Sequence, residues 1–469
     1  MLHKKNIYFL FASIIVLAAF YLYNPFALYF QSDDFLHIKW SSEGIIFQDN
    51  AFRPVCDLSV MLDYILFGKN AWGYHLTNLL LHCITSLLVG IVCTIILKKY
   101  FKNISQGFFP SITCGILFFM YASHSEAVFW ILGRSAILGT LFSLLFLIGF
   151  FQKEKHPTFI FLYIISWVLA LLSYESCWVL PVIVFLITWP EKEKNKWIHV
   201  SIVFIIFIVY LFVRYFFIHQ LLGIYEADSL FSGDWKILSQ HFMLLISRSF
   251  LPWYSENVIA FYGLIALAII LVFFFLSLQK ALKKKVVFVF TCFLVSLLPY
   301  ISLGIDTNGV EGERFLYLPI MLLSIFIVLV VYAAAIKKFY KEIWLLIFCV
   351  FQIMILQENS ANQQFAGNIV KTVLHKISMV DPSNKIMVKG LPQCQYGALI
   401  FRAGLPEATG WLINKEQEKN IEIVSQRSEV LPLAKNYKVE YVRVPTTGTY
   451  LFNFKDSSLQ ISGNVFSSK

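Results

Sequence analysis

Asp33 and Asp34 stand side by side just past the first long apolar run of this chain, in the stretch Gln31-Ser32-Asp33-Asp34-Phe35. Carboxylates are costly at the edge of hydrocarbon, so an adjacent pair there calls for a reason. One reason is chemistry: an ionised carboxylate takes the proton of a hydroxyl and acts as a general base. The bland alternative is a solvated helix end. Further polar residues recur where other apolar runs stop: Arg53, Asp57 and Asp63; His124, Glu126 and Arg134; Tyr174 and Glu175; Arg214 and Glu256; Glu313, Arg314 and Tyr317. Arginine grips phosphate through a planar fork of donors. Acids and arginines gathered on one face suit a site that holds an anionic lipid headgroup and activates a hydroxyl.

The elements that must position these residues are membrane helices. Of the 469 residues, 58% are hydrophobic, 17% aromatic and only 14% charged, against roughly a quarter charged in soluble domains. Apolar runs of about 17 to 25 residues recur from end to end, each long enough to span a bilayer as a helix. The expected fold class is an all-α polytopic membrane protein of about 11 spans, followed by a small β-rich C-terminal domain. No cleavage site follows the first run and further spans come after it, which argues against a signal peptide.

The lysine clusters set the expected sidedness. His3-Lys4-Lys5, Lys98-Lys99, Lys153 to Lys155, Lys192 to Lys194, Lys283-Lys284-Lys285 and Lys337-Lys338 all fall on one side of the span count, which places the N-terminus in the cytoplasm and the C-terminal domain outside it. The formal charge of +10 is read the same way, with no nucleic-acid partner. The expected setting is a bacterial inner membrane. Amphipathic helices are expected in the first outer loop, from Pro54 to Tyr64, and over about residues 236 to 252. The domains are expected at 1–357 and 358–469, with the eleventh span running from about 342 to 357, because charge rises and alternation appears after about residue 358. Tyr437 to Val444, Gly448 to Phe454 and Leu459 to Gly463 read as strands. Eight scattered cysteines show no metal-ligand spacing; a disulfide among Cys56, Cys177 and Cys394 is open.

Each polar group also has a structural reading. His124-Ser125-Glu126 suits a helix start. Arg134 lies about two turns into the fourth span, where a charge needs a partner; Glu126, eight residues earlier, shares its face without reaching it, and Asp33 or Asp34 is the better candidate. Glu313-Arg314 reads equally as a loop ion pair of small worth. His75 and His82 share a helix face, but two histidines without a carboxylate cluster fall short of a zinc site.

Three stretches carry a resemblance. Arg53-Pro54-Val55 with Trp72-Gly73-Tyr74-His75 through His82, Tyr121-Ala122-Ser123-His124-Ser125-Glu126 with Trp130 to Arg134, and Glu313-Arg314-Phe315-Leu316-Tyr317-Leu318-Pro319 together resemble the GT-C glycosyltransferases, in particular the protein O-mannosyltransferase superfamily. The likeness covers about residues 1 to 340, in the order of the motifs. It implies an inverting sugar transfer from a polyprenyl-phosphate donor to an acceptor protein, glycan or lipid, within membrane lipids. It implies Asp33 or Asp34, with Glu126, as the catalytic acids. It implies Arg134, Arg314 and Tyr317, beside Glu313, at the donor phosphate, and Arg53, His75, His124 and Glu175 at the acceptor or in support. Some members of the family use a divalent cation, Mg2+ or Mn2+, and others none; the adjacent aspartates leave this open. The tetratricopeptide repeats of some relatives are absent, and Tyr174-Glu175 stands where Lys-Glu is more usual. The rival reading is a transporter or flippase, which calls for charges at midplane and symmetry between halves; here the polar residues gather at one face.

Overall fold

The computed structural model describes residues 18–46, 52–101, 109–190, 196–219, 235–251, 258–303, 312–395, 397–427, 438–444 and 449–455. Lys4, Lys5, Lys192, Lys194, Glu256 and the strand expected from Leu459 lie outside the described residues. Each apolar run from the second to the eleventh is helical, as hydrocarbon demands of a segment that must pair all its own backbone groups. Among the described residues, five helices are long and apolar enough to cross a membrane: Ala71–Tyr100, Ile131–Gln152, Lys196–Ile218, Glu313–Ala333 and Lys338–Ser378. A pair bent by 54°, Phe109–Phe119 with Ala122–Phe129, adds a sixth where it counts as one span. Thr158–Leu171, Glu175–Thr188 and Phe261–Leu276 are shorter apolar helices. The chain is a polytopic α-helical integral membrane protein with short strands near its C-terminal end.

Two compact units make up the chain, Met1–Phe26 with Gly44–Ser360, and Ala27–Glu43 with Ala361–Lys469. In the first, Ile131–Gln152 and Glu313–Ala333 are buried over 89% and 94% of their apolar windows and form the core. Lys196–Ile218 is buried over only 17%, and Ile205, Phe212 and Phe216 face outward, as lipid contact requires. Ala71–Tyr100 and Phe109–Phe119 touch backbone to backbone. A Cβ on Gly90 would lie 2.9 Å from the Ser111 carbonyl oxygen, and one on Gly115 would lie 2.8 Å from that of Ser86. Small residues permit this approach where no hydrophobic effect drives helix against helix.

The lysine-bearing helix ends meet. Lys285 Nζ donates to the Tyr100 carbonyl at 2.7 Å, Lys99 lies 5.6 Å from the Phe151 ring and Lys338 5.8 Å from that of Phe109. These ends therefore share one side of the unit. The amphipathic stretches are helices too, Pro54–Phe67 and Trp235–Phe250. All eight cysteines are free, so no disulfide joins Cys56, Cys177 or Cys394. Burial pushes the Cys56 thiol up to about 12, as for an inert core cysteine.

The second unit contains the helix Asp34–Ser42, the last turns of Lys338–Ser378 and the strands. The stretch 27–43, grouped by sequence with the membrane domain, packs here. The helix expected to end near residue 357 runs on to Ser378. Glu358 and the polar residues after it end the apolar run but not the helix, and the first proline beyond is Pro382. A four-stranded sheet follows in the order Ile421–Ile423, Ile386–Lys389, Thr449–Lys455, Lys438–Val444. The first three strands are parallel and the last is antiparallel, with Tyr441 opposite Phe452. Ile386 and Val388 are buried while Lys389 is exposed, the period-two pattern of a half-buried strand. Helices Leu405–Leu412 and Lys415–Lys419 accompany the strands.

Candidate functional site

The two aspartates differ in kind. Asp34 opens the helix Asp34–Ser42 and is fully buried; its Oδ2 accepts the Gln31 N–H at 2.9 Å. That is a turn-closing contact at a helix start, where a carboxylate is favoured. Asp33 keeps about a quarter of its side chain exposed, at 24%. Its Oδ2 accepts from Arg402 Nη2 at 3.0 Å and its Oδ1 from the Ser32 hydroxyl at 3.2 Å.

The turn beneath them is over-determined. Ser32 is left-handed, at φ 45°, a conformation that costs a non-glycine residue about 1–2 kcal/mol. The Ser32 N–H donates to the Ile400 carbonyl at 2.9 Å, and the Ala403 N–H donates to Ser32 Oγ at 3.3 Å. Gly404 has φ +85°, and a Cβ there would lie 2.5 Å from the Ser32 carbonyl oxygen. Only glycine meets both conditions. Phe35 stacks on Phe401, and Phe30 meets Trp411 edge to face, which fastens the acidic turn to the C-terminal region.

In the membrane unit the acids and arginines are paired by long-range contacts. The partner of Arg134 is Asp63, on the helix Pro54–Phe67, and not Asp33 or Asp34. Arg134 Nε donates to Asn78 Oδ1, Nη1 to the carbonyl and hydroxyl of Ser59, and Nη2 to the Tyr74 carbonyl. With the Asp63 ion pair, all three nitrogens of this fully buried guanidinium face protein oxygens. Burial pushes the Asp63 carboxyl above its ordinary value, against the opposing pull of Arg134 and of the Thr77 hydroxyl at 2.8 Å.

Glu313 and Arg314 do not form a loop ion pair with one another. Glu313 pairs with Arg248 at 2.9 Å. Arg314 pairs with Glu126, whose Oε2 also accepts the Arg314 backbone N–H at 2.9 Å. All four side chains are buried. The Arg314 guanidinium lies 5.0 Å from the Trp130 ring. The stretch before Glu126 serves as a joint: the Tyr121 hydroxyl donates to the Ser249 carbonyl, Gln352 Oε1 accepts the Ala122 N–H, and Asn359 Nδ2 donates to Ser125 Oγ.

Tyr317 is fully buried and its hydroxyl lies 2.6 Å from His82 Nδ1. The other His82 nitrogen meets the Tyr23 hydroxyl and the Phe119 carbonyl, both at 3.1 Å. The His124 ring packs between Phe118 and Tyr317, with centroids 4.3 and 4.4 Å away. His75 is buried on the same helix as His82. Among the described residues, no group of three or more His, Cys, Asp or Glu could hold a metal ion. The aspartate pair does not fit a cation either, since Asp33 turns to a guanidinium and Asp34 to a backbone N–H.

Arg53 stays partly open. It donates through Nε to Glu175 Oε2 at 2.9 Å, and Arg214 Nη1 donates to the other oxygen of Glu175 at 3.2 Å. Arg53 lies over the Tyr174 ring and Arg214 over that of Trp178. Arg53 and Glu175 are each 19% exposed.

Sequence reasoning missed Arg402 and Arg248. Arg248 left a trace, as a lone charge in an apolar stretch that calls for a buried partner. Arg402 left none, since its partner lies 369 residues away.

No family model matches the chain. A stretch of 105 residues is 34% identical to the protein O-mannosyl-transferase TMTC1 of Mus musculus, covering 22% of this chain and 10% of that protein. Over 106 residues the chain is 35% identical to the protein O-mannosyl-transferase tmtc2 of Xenopus laevis, covering 22% of this chain and 11% of that one. The chain thus spans about a tenth of the length of the curated relatives it matches. Among solved structures it is similar to ArnT from Cupriavidus metallidurans bound to undecaprenyl phosphate, at 10% identity and a TM-score of 0.49, covering 90% of this chain and 87% of that one. The apo form of that protein gives 9% identity and a TM-score of 0.46, covering 82% of each chain. Over its matched stretch, this chain is similar in sequence to the protein O-mannosyl-transferases.

Proposed function

We propose that this chain is an inverting membrane glycosyltransferase. It moves a sugar from a polyprenyl-phosphate donor to a hydroxyl outside the cytoplasm, in the first instance that of a protein Ser or Thr. The names of the relatives support the reaction class. The observation that carries the site is the acidic turn, in which Asp33 is open and held at both carboxylate oxygens while Asp34 is buried. A carboxylate has about four acceptor positions, so these two contacts leave room for a hydroxyl. Asp33 takes the acceptor's proton as its oxygen attacks the anomeric carbon. The bond from that carbon to the phosphate oxygen breaks, its electron pair stays on the phosphate, and polyprenyl phosphate leaves. One displacement inverts the configuration.

Among the arginines of the membrane unit that were singled out, Arg53 supports the phosphate role best, because it keeps exposed surface even while its Nε and Nη2 meet Glu175. Arg134 and Tyr317 are fully buried, and Arg314 is paired with Glu126. The lysine-bearing helix ends, gathered on one side, support a cytoplasmic face there. The test is transfer by the purified protein in vesicles, from labelled polyprenyl-phosphate sugar to a Ser/Thr peptide, with the product anomer read by NMR. An inverted product with released polyprenyl phosphate is expected. Movement of the donor across the bilayer without product would favour a transporter instead.

A further inference from the structure

We propose that Arg402 is a positioning residue for Asp33, so that the Ile400–Gly404 turn of the C-terminal region completes the catalytic site. The inference rests on the assignment of Asp33 as the base and adds a residue outside the three motif stretches. Three features support it.

First, the Arg402–Asp33 pair has side chains 33% and 24% exposed. Pairs in that range add little to stability, so holding the fold together is a weak reason for it. Second, strain is concentrated where the aspartate is aimed. Ser32 is left-handed, and Gly404 leaves no room for a side chain against the Ser32 carbonyl. Backbone strain of this kind persists where the surroundings impose it, and it clusters at functional sites. Third, the backbone that carries the guanidinium is itself held. Gln426 Nε2 donates to the carbonyl of Phe401 at 3.2 Å and to that of Arg402 at 3.4 Å. Asp33 is thereby fixed from two directions, by Ser32 on one oxygen and by Arg402 on the other. A base held within a narrow range of geometry keeps its advantage in the reaction, and a misplacement of about 1 Å can cost on the order of 10²-fold.

The test uses the full chain in vesicles with the donor and peptide above. Arg402→Ala should lower kcat by about 10- to 100-fold and leave KM for donor and peptide nearly unchanged. Dilute guanidinium chloride should restore part of the lost rate, and Arg402→Lys should keep part of it. A purely structural role predicts no rescue by a small cation. Gly404→Ala, which drives a Cβ into the Ser32 carbonyl, should lower kcat in the same way. Asp33→Asn is run alongside. If it is inactive while Arg402→Ala keeps the parent kcat, the positioning role falls and the base stands. If Arg402→Ala is impaired and guanidinium restores nothing, the positioning role also falls. If Asp33→Asn is fully active, the base assignment fails and takes this inference with it.

Discussion

Arg134 and Arg402 each face an aspartate, but in opposite surroundings. In the membrane unit, Arg134 and Asp63 are buried, and each nitrogen of the arginine faces a protein oxygen. In the second unit, Arg402 and Asp33 meet with both side chains partly open. Removing one member of a buried pair strands a charge away from water, which is severe for folding. Removing one member of an open pair leaves the other solvated. The comparison separates residues that hold the helices from residues that keep solvent-facing surface, although Arg134, Asp63 and Asp33 all stood out by sequence as charges where apolar runs stop. The Glu126–Arg314 and Arg248–Glu313 pairs belong to the first kind.

This contrast can be broken by substitution. The largest effect is expected at Asp33: Asp33→Asn should lower kcat by roughly 10²- to 10⁴-fold, the usual worth of a general base, with an unchanged melting temperature in detergent. Arg134→Met should do the reverse. It strands Asp63 and should cost about 3–5 kcal/mol of stability, read by thermal melting, while transfer per folded molecule persists. Adding Asp63→Leu should recover most of that loss, because an apolar pair needs no hydration.

Smaller effects sharpen the picture. Arg53→Ala should lower kcat/KM for the donor by roughly 10- to 100-fold, in line with about 1.5–3 kcal/mol for hydrogen bonds to a charged group. A KM confined to its parent value would remove Arg53 from the phosphate. Tyr317→Phe should be the mildest, losing about 1 kcal/mol for its hydrogen bond to His82, with transfer per folded molecule unchanged. A large fall in donor affinity there would restore Tyr317 to the headgroup.

The membrane architecture was legible because hydrocarbon leaves only one solution for a run of about 20 apolar residues. The hairpin of Lys438–Val444 with Thr449–Lys455 showed as alternation. The end of the helix Lys338–Ser378 was misread because loss of apolar character marks the end of a span, not of a helix. The pairing of charges was illegible for another reason. Nothing local tells Arg134 to choose Asp63, and the rule that a buried charge needs a partner names no partner. The difference between Asp33 and Asp34 was also hidden, since it depends on the turn at residues 400–404.

The most direct test of the central claim is to compare Asp33→Asn with Asp34→Asn in one transfer assay, with rates divided by the folded fraction. Asp33→Asn should stay inactive after that correction, and Asp34→Asn should return close to the parent rate, because its carboxylate closes a buried turn. Parent-level transfer by Asp33→Asn, or loss confined to Asp34→Asn after correction, would contradict the assignment of Asp33 as the base.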